Sequence, residues 1–169
     1  MILAILLIMG SVLGSFFNVL IYRVPRGLSI VRPASSCPAC GTRIRPRDNV
    51  PVLGYIALGG RCRSCGERIS PRYIVVELLA GIVPALLYAR YGLGLEFSVY
   101  VALSYVLLIV SFVDLDHKII PDKITLPGLA VGLVAAPLLG LTTFAGSLIG
   151  AAVGGGALYL VAILGALVF

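Results

Sequence analysis

Two groups of side chains in this chain have the types and spacing to do chemistry. The first is "VDLDHKIIPDKI" (Val113 to Ile124), which places Asp114, Asp116 and Asp122 within nine residues of a chain holding only seven acidic side chains in all. The second is the pair "CPACG" (Cys37 to Gly41) and "CRSCG" (Cys62 to Gly66), which between them contain all four cysteines. Two close thiol pairs, each followed by a glycine that lets the turn tighten around sulfur, match a tetrahedral zinc site with ligands Cys37, Cys40, Cys62 and Cys65. Disulfides, a redox pair or idle thiols are the competing readings, and a disulfide within CxxC would close only a tiny loop. Four thiolates leave no open position for a substrate, so the expected zinc is structural: it folds an insert too small to build much of a core.

The elements that must position these groups are apolar helices. The chain is 60% hydrophobic and 12% charged, with a mean hydropathy of +1.10, far from the composition of a soluble domain. Residues 1–22 are uncharged and long enough to cross a bilayer. They lack the basic n-region and cleavage site of a signal peptide, so they are expected to stay as an anchor. Tyr73 to Ala89 is apolar apart from Glu77, and Phe97 to Val113 is uncharged. The 46 residues after Lys123 would make one helix of about 69 Å, too long for one crossing, and a break at "LLGLTTF" (Leu138 to Phe144) divides them in two. The expected fold is an all-α polytopic membrane protein of about five transmembrane helices. Its parts are a first helix at 1–22, a basic zinc-ribbon-like insert at 23–72, and a helical region at 73–169 with a carboxylate-bearing loop at 113–123.

Ten of the eleven arginines lie between Arg23 and Arg72 against only Asp48 and Glu67, a net charge of +8, while the rest of the chain sums to −2. The positive-inside rule puts that insert in the cytoplasm, the amino terminus outside and the acidic loop on the cytoplasmic side. Anionic membrane lipid is a plausible secondary partner for such a segment. Nucleic acid is not expected, because stacking aromatics and a nucleic-acid-binding fold are missing.

Read one by one, most of the polar residues have plain roles. Asp122, after Pro121 and ahead of an apolar run, suits a helix N-cap. Asp116 could pair with Lys118, attract a basic substrate or be a surface charge. His117, the only histidine, reads as a loop residue. Glu77 lies inside a span, where a carboxylate is costly without a partner, although one turn from the end it could reach headgroups or Arg72. Asn18 suits a polar contact between helices. Gly146, Gly150 and Gly154 recur every four residues and would let another helix, including one from a second copy in a homodimer, pack closely.

Four stretches, in order, carry a resemblance to the bacterial type IV prepilin peptidases, membrane aspartyl proteases that remove leader peptides from prepilins and pseudopilins. They are "GSFFNVLIYRVP" (Gly14 to Pro25), the paired CxxC motifs, "GERISPRYIVVELLAG" (Gly66 to Gly81) and "VDLDHKIIPDKITLP" (Val113 to Pro127). The resemblance implies that Asp114 is the first catalytic aspartate, working with a second carboxylate so that one acts as base and the other as acid. It implies residence in the bacterial inner membrane, prepilin or pseudopilin substrates and, often in this family, S-adenosylmethionine-dependent methylation of the new amino terminus. The family's second aspartate sits in a "GxGD" motif that this sequence lacks, and no acid follows Asp122, so the chain is expected to be a truncated part of the enzyme. Asp116 and Asp122 remain as possible catalytic or substrate-attracting acids. A non-enzymatic zinc-ribbon scaffold and a membrane metal or ion transporter remain as alternative functions.

Overall fold

A computed structural model describes residues 1–119 and 122–168. Helices run over α1 (Ile2–Arg23), α2 (Leu53–Ala57), α3 (Arg72–Tyr91), α4 (Leu95–His117), α5 (Asp122–Leu138) and α6 (Phe144–Val168), with a 3-10 turn at Pro46–Asn49. Among the described residues there is no β-strand, only two isolated bridges, Ser36 with Arg43 and Arg61 with Arg68. Four helices are long and apolar enough to cross a membrane: α1, α3, α4 and Phe144–Val161 within α6. The fifth expected span is shorter, Ile124–Leu138, which reaches about 22 Å at roughly 1.5 Å per residue. This is the helical architecture expected of a multi-pass membrane protein.

The chain divides into two compact units, Met1–Pro121 and Asp122–Phe169. The first is built on an unusually close crossing of α1 and α3. Gly10, Gly14, Phe17, Asn18 and Ile21 form the buried face of α1, and Val76, Glu77, Ala80, Gly81 and Pro84 that of α3. Helices pack this closely in a bilayer where small residues let backbones touch, because lipid offers no hydrophobic drive to join them. A Cβ on Gly14 would lie 2.7 Å from the Glu77 Cα, and one on Gly81 would lie 2.7 Å from the Leu7 carbonyl oxygen. α4 closes the unit. Its Tyr105 ring meets Phe17 edge-on at 4.9 Å, and the Tyr105 hydroxyl donates to the Ala80 carbonyl at 2.9 Å. Ile109 and Val113 of α4 are buried, whereas the remaining large apolar side chains of these helices are mostly exposed, as lipid-facing surfaces are.

In the second unit, α5 and α6 are joined by a turn in which Gly140 has φ +70°, at the break expected between Leu138 and Phe144. Gly150 and Gly154 of α6 face open space.

Candidate functional site

The four cysteines converge. Their sulfurs all lie within 4.8 Å of one another, with Cys37 and Cys65 3.9 Å apart. Each CxxCG sequence folds into the same small knuckle. The Cys37 amide donates to the Thr42 carbonyl and the Gly41 amide to the Cys37 carbonyl; in the second knuckle the Cys62 amide donates to the Glu67 carbonyl and the Gly66 amide to the Cys62 carbonyl, all at 2.8–2.9 Å. Gly41 and Gly66 take φ of +69° and +73°, a conformation that glycine adopts without strain. Tetrahedral zinc at about 2.3 Å from each sulfur sets sulfur–sulfur distances of about 3.8 Å, so small side-chain adjustments fit these thiols to the ion. The Thr42 hydroxyl and amide hold Cys40 down at about 6, and backbone amides at Cys65 and Ser64 lower Cys62. Against a lowering hydrogen bond from the Glu67 backbone, desolvation and the neighbouring sulfurs push Cys65 up to about 12. Four crowded thiols cannot all shed protons without a cation among them, and a metal supplies one.

The knuckles are tied to the rest of the insert by Arg63, which grips Asp48 through Nε (2.9 Å to Oδ2) and Nη2 (2.7 Å to Oδ1). The Arg63 guanidinium holds the Asp48 carboxyl below its ordinary value. Arg23, at the end of α1, donates to the carbonyls of Ser29 and Pro33 at 2.8 Å and folds the outgoing loop back on its helix.

Glu77 and Asn18 occupy the α1–α3 seam, both buried. The Asn18 Nδ2 donates to the Tyr73 carbonyl at 3.0 Å, a contact between helices of the kind expected of it. Glu77 does not pair with Arg72, which is engaged by Asp116. Its Oε2 accepts the Val52 amide at 2.7 Å, and so it joins the insert to the membrane helices. Val52 has φ 63° and ψ −54°, and the Leu53 amide reaches back to the Pro51 carbonyl at 2.6 Å. This is a strained γ-turn, rare for a β-branched residue, held in place by the carboxylate.

Asp114 lies on helix rather than in the loop expected at 113–123, because α4 runs on through His117. An apolar run ends at its first charge, but backbone hydrogen bonding does not. The helix stops at Lys118, which adopts the left-handed conformation (φ 52°) and donates its amide to the Asp114 carbonyl at 2.7 Å. The Asp114 side chain is exposed, directly after the fully buried Val113. Two polar ties brace this helix end. Asp116 forms an ion pair with Arg72 at the start of α3, rather than with Lys118. His117 accepts at Nε2 from Arg26 Nη1 at 3.0 Å, while that guanidinium also stacks 4.0 Å from the Tyr22 ring centroid. An arginine only donates, so Nε2 is the acceptor in this contact. The ends of α1, α3 and α4 are thereby fixed together at the side of the bundle from which the cysteine insert emerges. Asp122 is the exposed first residue of α5, where a carboxylate favours the helix dipole.

Residues 8–91 match the family described as the bacterial peptidase A24 N-terminal domain, and residues 101–169 match the type IV leader peptidase family. Among curated proteins, the chain is 41% identical over 149 residues to a prepilin leader peptidase/N-methyltransferase of Myxococcus xanthus, covering 88% of this chain and 44% of that protein. It is 36% identical to one from Pseudomonas putida (75% and 52% covered) and 35% identical to one from Bacillus subtilis (90% and 61%). The chain thus spans about half the length of the curated relatives it matches. No solved structure matches it.

Proposed function

Because the chain belongs to the type IV leader peptidase family, we propose that it acts as an aspartic endopeptidase on the leader peptides of prepilins or pseudopilins, with Asp114 as one catalytic carboxylate. The observation that carries this reading is an exposed carboxylate on a rigid helix end, braced by Arg72–Asp116 and Arg26–His117 beside a basic insert. Amide hydrolysis needs one carboxylate to take a proton from the attacking water and another acid to protonate the leaving amine. Asp114 has no side-chain hydrogen bond among the described residues, so both its oxygens are free to hold a water. Asp116 is already compensated by Arg72, which suits it to positioning, and Asp122 is a candidate for the second carboxylate or for attracting a basic leader.

The charge of +8 between Arg23 and Arg72 orients the insert to the cytoplasm and the amino terminus outside, in the bacterial inner membrane. A prepilin would lay its apolar helix in the bilayer and present its leader to Asp114 at that face. Zinc held by Cys37, Cys40, Cys62 and Cys65 would keep the insert folded. N-methylation with S-adenosylmethionine rests on the relatives' names, and no residue here is assigned to it. The open Gly150–Gly154 face of α6 is proposed as a contact for a second copy, which chemical cross-linking in membranes would detect. The experiment for the activity is cleavage of a prepilin peptide in detergent, read by mass spectrometry, with Asp114→Ala as control. Cleavage that survives the substitution would sink the assignment.

A further inference from the structure

The short helix α2 leaves an apolar face unexplained by the site. Leu53 and Ile56, three residues apart and so on one face, are 66% and 62% exposed. The opposite face is committed: Gly54 packs so tightly on the Asp48 carbonyl that a Cβ has no room, and the Tyr55 hydroxyl reaches the Ile69 carbonyl at 3.4 Å. The run from Pro51 to Gly60 has no charge, although the insert around it carries ten arginines.

The Glu77 bond fixes where this face sits. Glu77 is five residues into α3, about 7.5 Å along the helix from Arg72, and its carboxylate holds the amide of Val52, the residue immediately before α2. The Arg72–Asp116 ion pair marks the polar end of the bundle. α2 is therefore anchored to the α1–α3 seam within about 7.5 Å of that end, at the level where the membrane-spanning helices leave the bilayer. At this depth what surrounds the bundle is the boundary between headgroups and acyl chains.

We propose that α2 is a membrane-dipping element whose Leu53 and Ile56 lie among the acyl chains of the leaflet on the insert side, while the arginines flanking it meet anionic headgroups. An apolar face a few ångströms below a basic rim is the chemistry by which interfacial helices bind anionic bilayers, and long arginine stems reach from that depth to phosphate. Glu77 sets the depth. The inference rests on the reading that α1, α3 and α4 span a membrane, and it adds a lipid contact within the insert itself.

The chain has no tryptophan, so one substituted tryptophan reports its own surroundings. Ile56→Trp, and separately Leu53→Trp, would be placed in vesicles of phosphatidylcholine and phosphatidylglycerol with or without bromine on the acyl chains. Leu103→Trp, on an exposed position of α4, serves as the spanning reference, and Ala39→Trp, in the first knuckle, as the aqueous one. The expected result is blue-shifted emission quenched at least about twofold by brominated lipid at positions 53 and 56. Adding Glu77→Ala should weaken that quenching, and Glu77→Gln should keep it. Emission at 53 and 56 like that at 39, with quenching only at 103, would overturn the inference and leave the spanning helices standing. Blue-shifted emission that brominated lipid fails to quench would assign the face to a protein partner and also overturn it. Loss of quenching at 103 as well would bring down the spanning reading with it.

Discussion

Substituting Gly14 by alanine isolates the contact on which the first unit depends. The added Cβ would lie 2.7 Å from the Glu77 Cα and 2.8 Å from the Ala80 Cβ, against ordinary contact of about 3.4–4 Å. Both neighbours are fixed parts of a helix, so relief requires α1 and α3 to part by about 0.7–1 Å. A gap of that size forfeits about a quarter to a half of the dispersion attraction of each facing atom pair. It also stretches the 3.0 Å bond from Asn18 to the Tyr73 carbonyl. Overpacking of this kind costs about 1–3 kcal/mol, and alanine's better helix propensity returns at most about 1 kcal/mol of that. Gly150→Ala is the matched control under conditions where the chain is monomeric, because nothing within the chain lies near its Cβ and only the propensity gain then applies. Reversible unfolding by titration with sodium dodecyl sulfate, followed by circular dichroism, measures both. Gly14→Ala should unfold at lower detergent fraction than the parent and Gly150→Ala at an equal or higher one. Equal behaviour of the two variants would refute the close α1–α3 crossing.

Asp114→Asn should lower leader cleavage by about 10²–10⁴-fold, as loss of a proton-transfer group does, with an unchanged unfolding midpoint because the exposed carboxylate makes no side-chain bond among the described residues; Asp116→Asn, which breaks a partly exposed ion pair, should cost about 0–1 kcal/mol in the same unfolding titration. Glu77→Ala strands the Val52 amide and should cost about 1–3 kcal/mol, seen as faster hydrogen exchange at Val52, whereas Glu77→Gln keeps an acceptor and should exchange nearly as slowly as the parent. Replacing any one of the four cysteines with serine should abolish binding of one zinc per chain, read by elemental analysis, and speed exchange of the Cys37 and Cys62 amides. Asp48 is held below its ordinary value by Arg63, so its ion pair stabilises the insert at pH above the unfolded value of about 3.9 and is lost as pH falls through the lower folded value. Nuclear magnetic resonance titration should place its midpoint below about 3.9, and Arg63→Ala should raise it; a midpoint that ignores Arg63 would refute the pairing.

The sequence alone determined the features that depend on composition and local spacing. Uncharged runs of bilayer length can only be helices there, since every backbone polar group must be satisfied internally, and four of the five expected spans are long enough to cross. The two CxxCG sequences dictate their own turns, and their spacing alone marks the four thiols that the structure brings together. The tetrad's convergence, by contrast, relies on contacts such as Asp48–Arg63 between residues 15 apart. α4 runs past the first charge to His117 because charge does not break helical hydrogen bonds, so Asp114 lies on helix where the end of the apolar run predicts loop. The glycines chosen for close packing, at 146, 150 and 154, have the same spacing as Gly10 and Gly14, and "GSVLG" held the signal. Spacing states that a helix can be approached closely, and the tertiary structure supplies such an approach at Gly10 and Gly14 within the first unit. Glu77 was open for the same reason. Its partner, the Val52 amide, lies 25 residues away on a backbone whose path depends on the folded insert, so no local pattern could pair them.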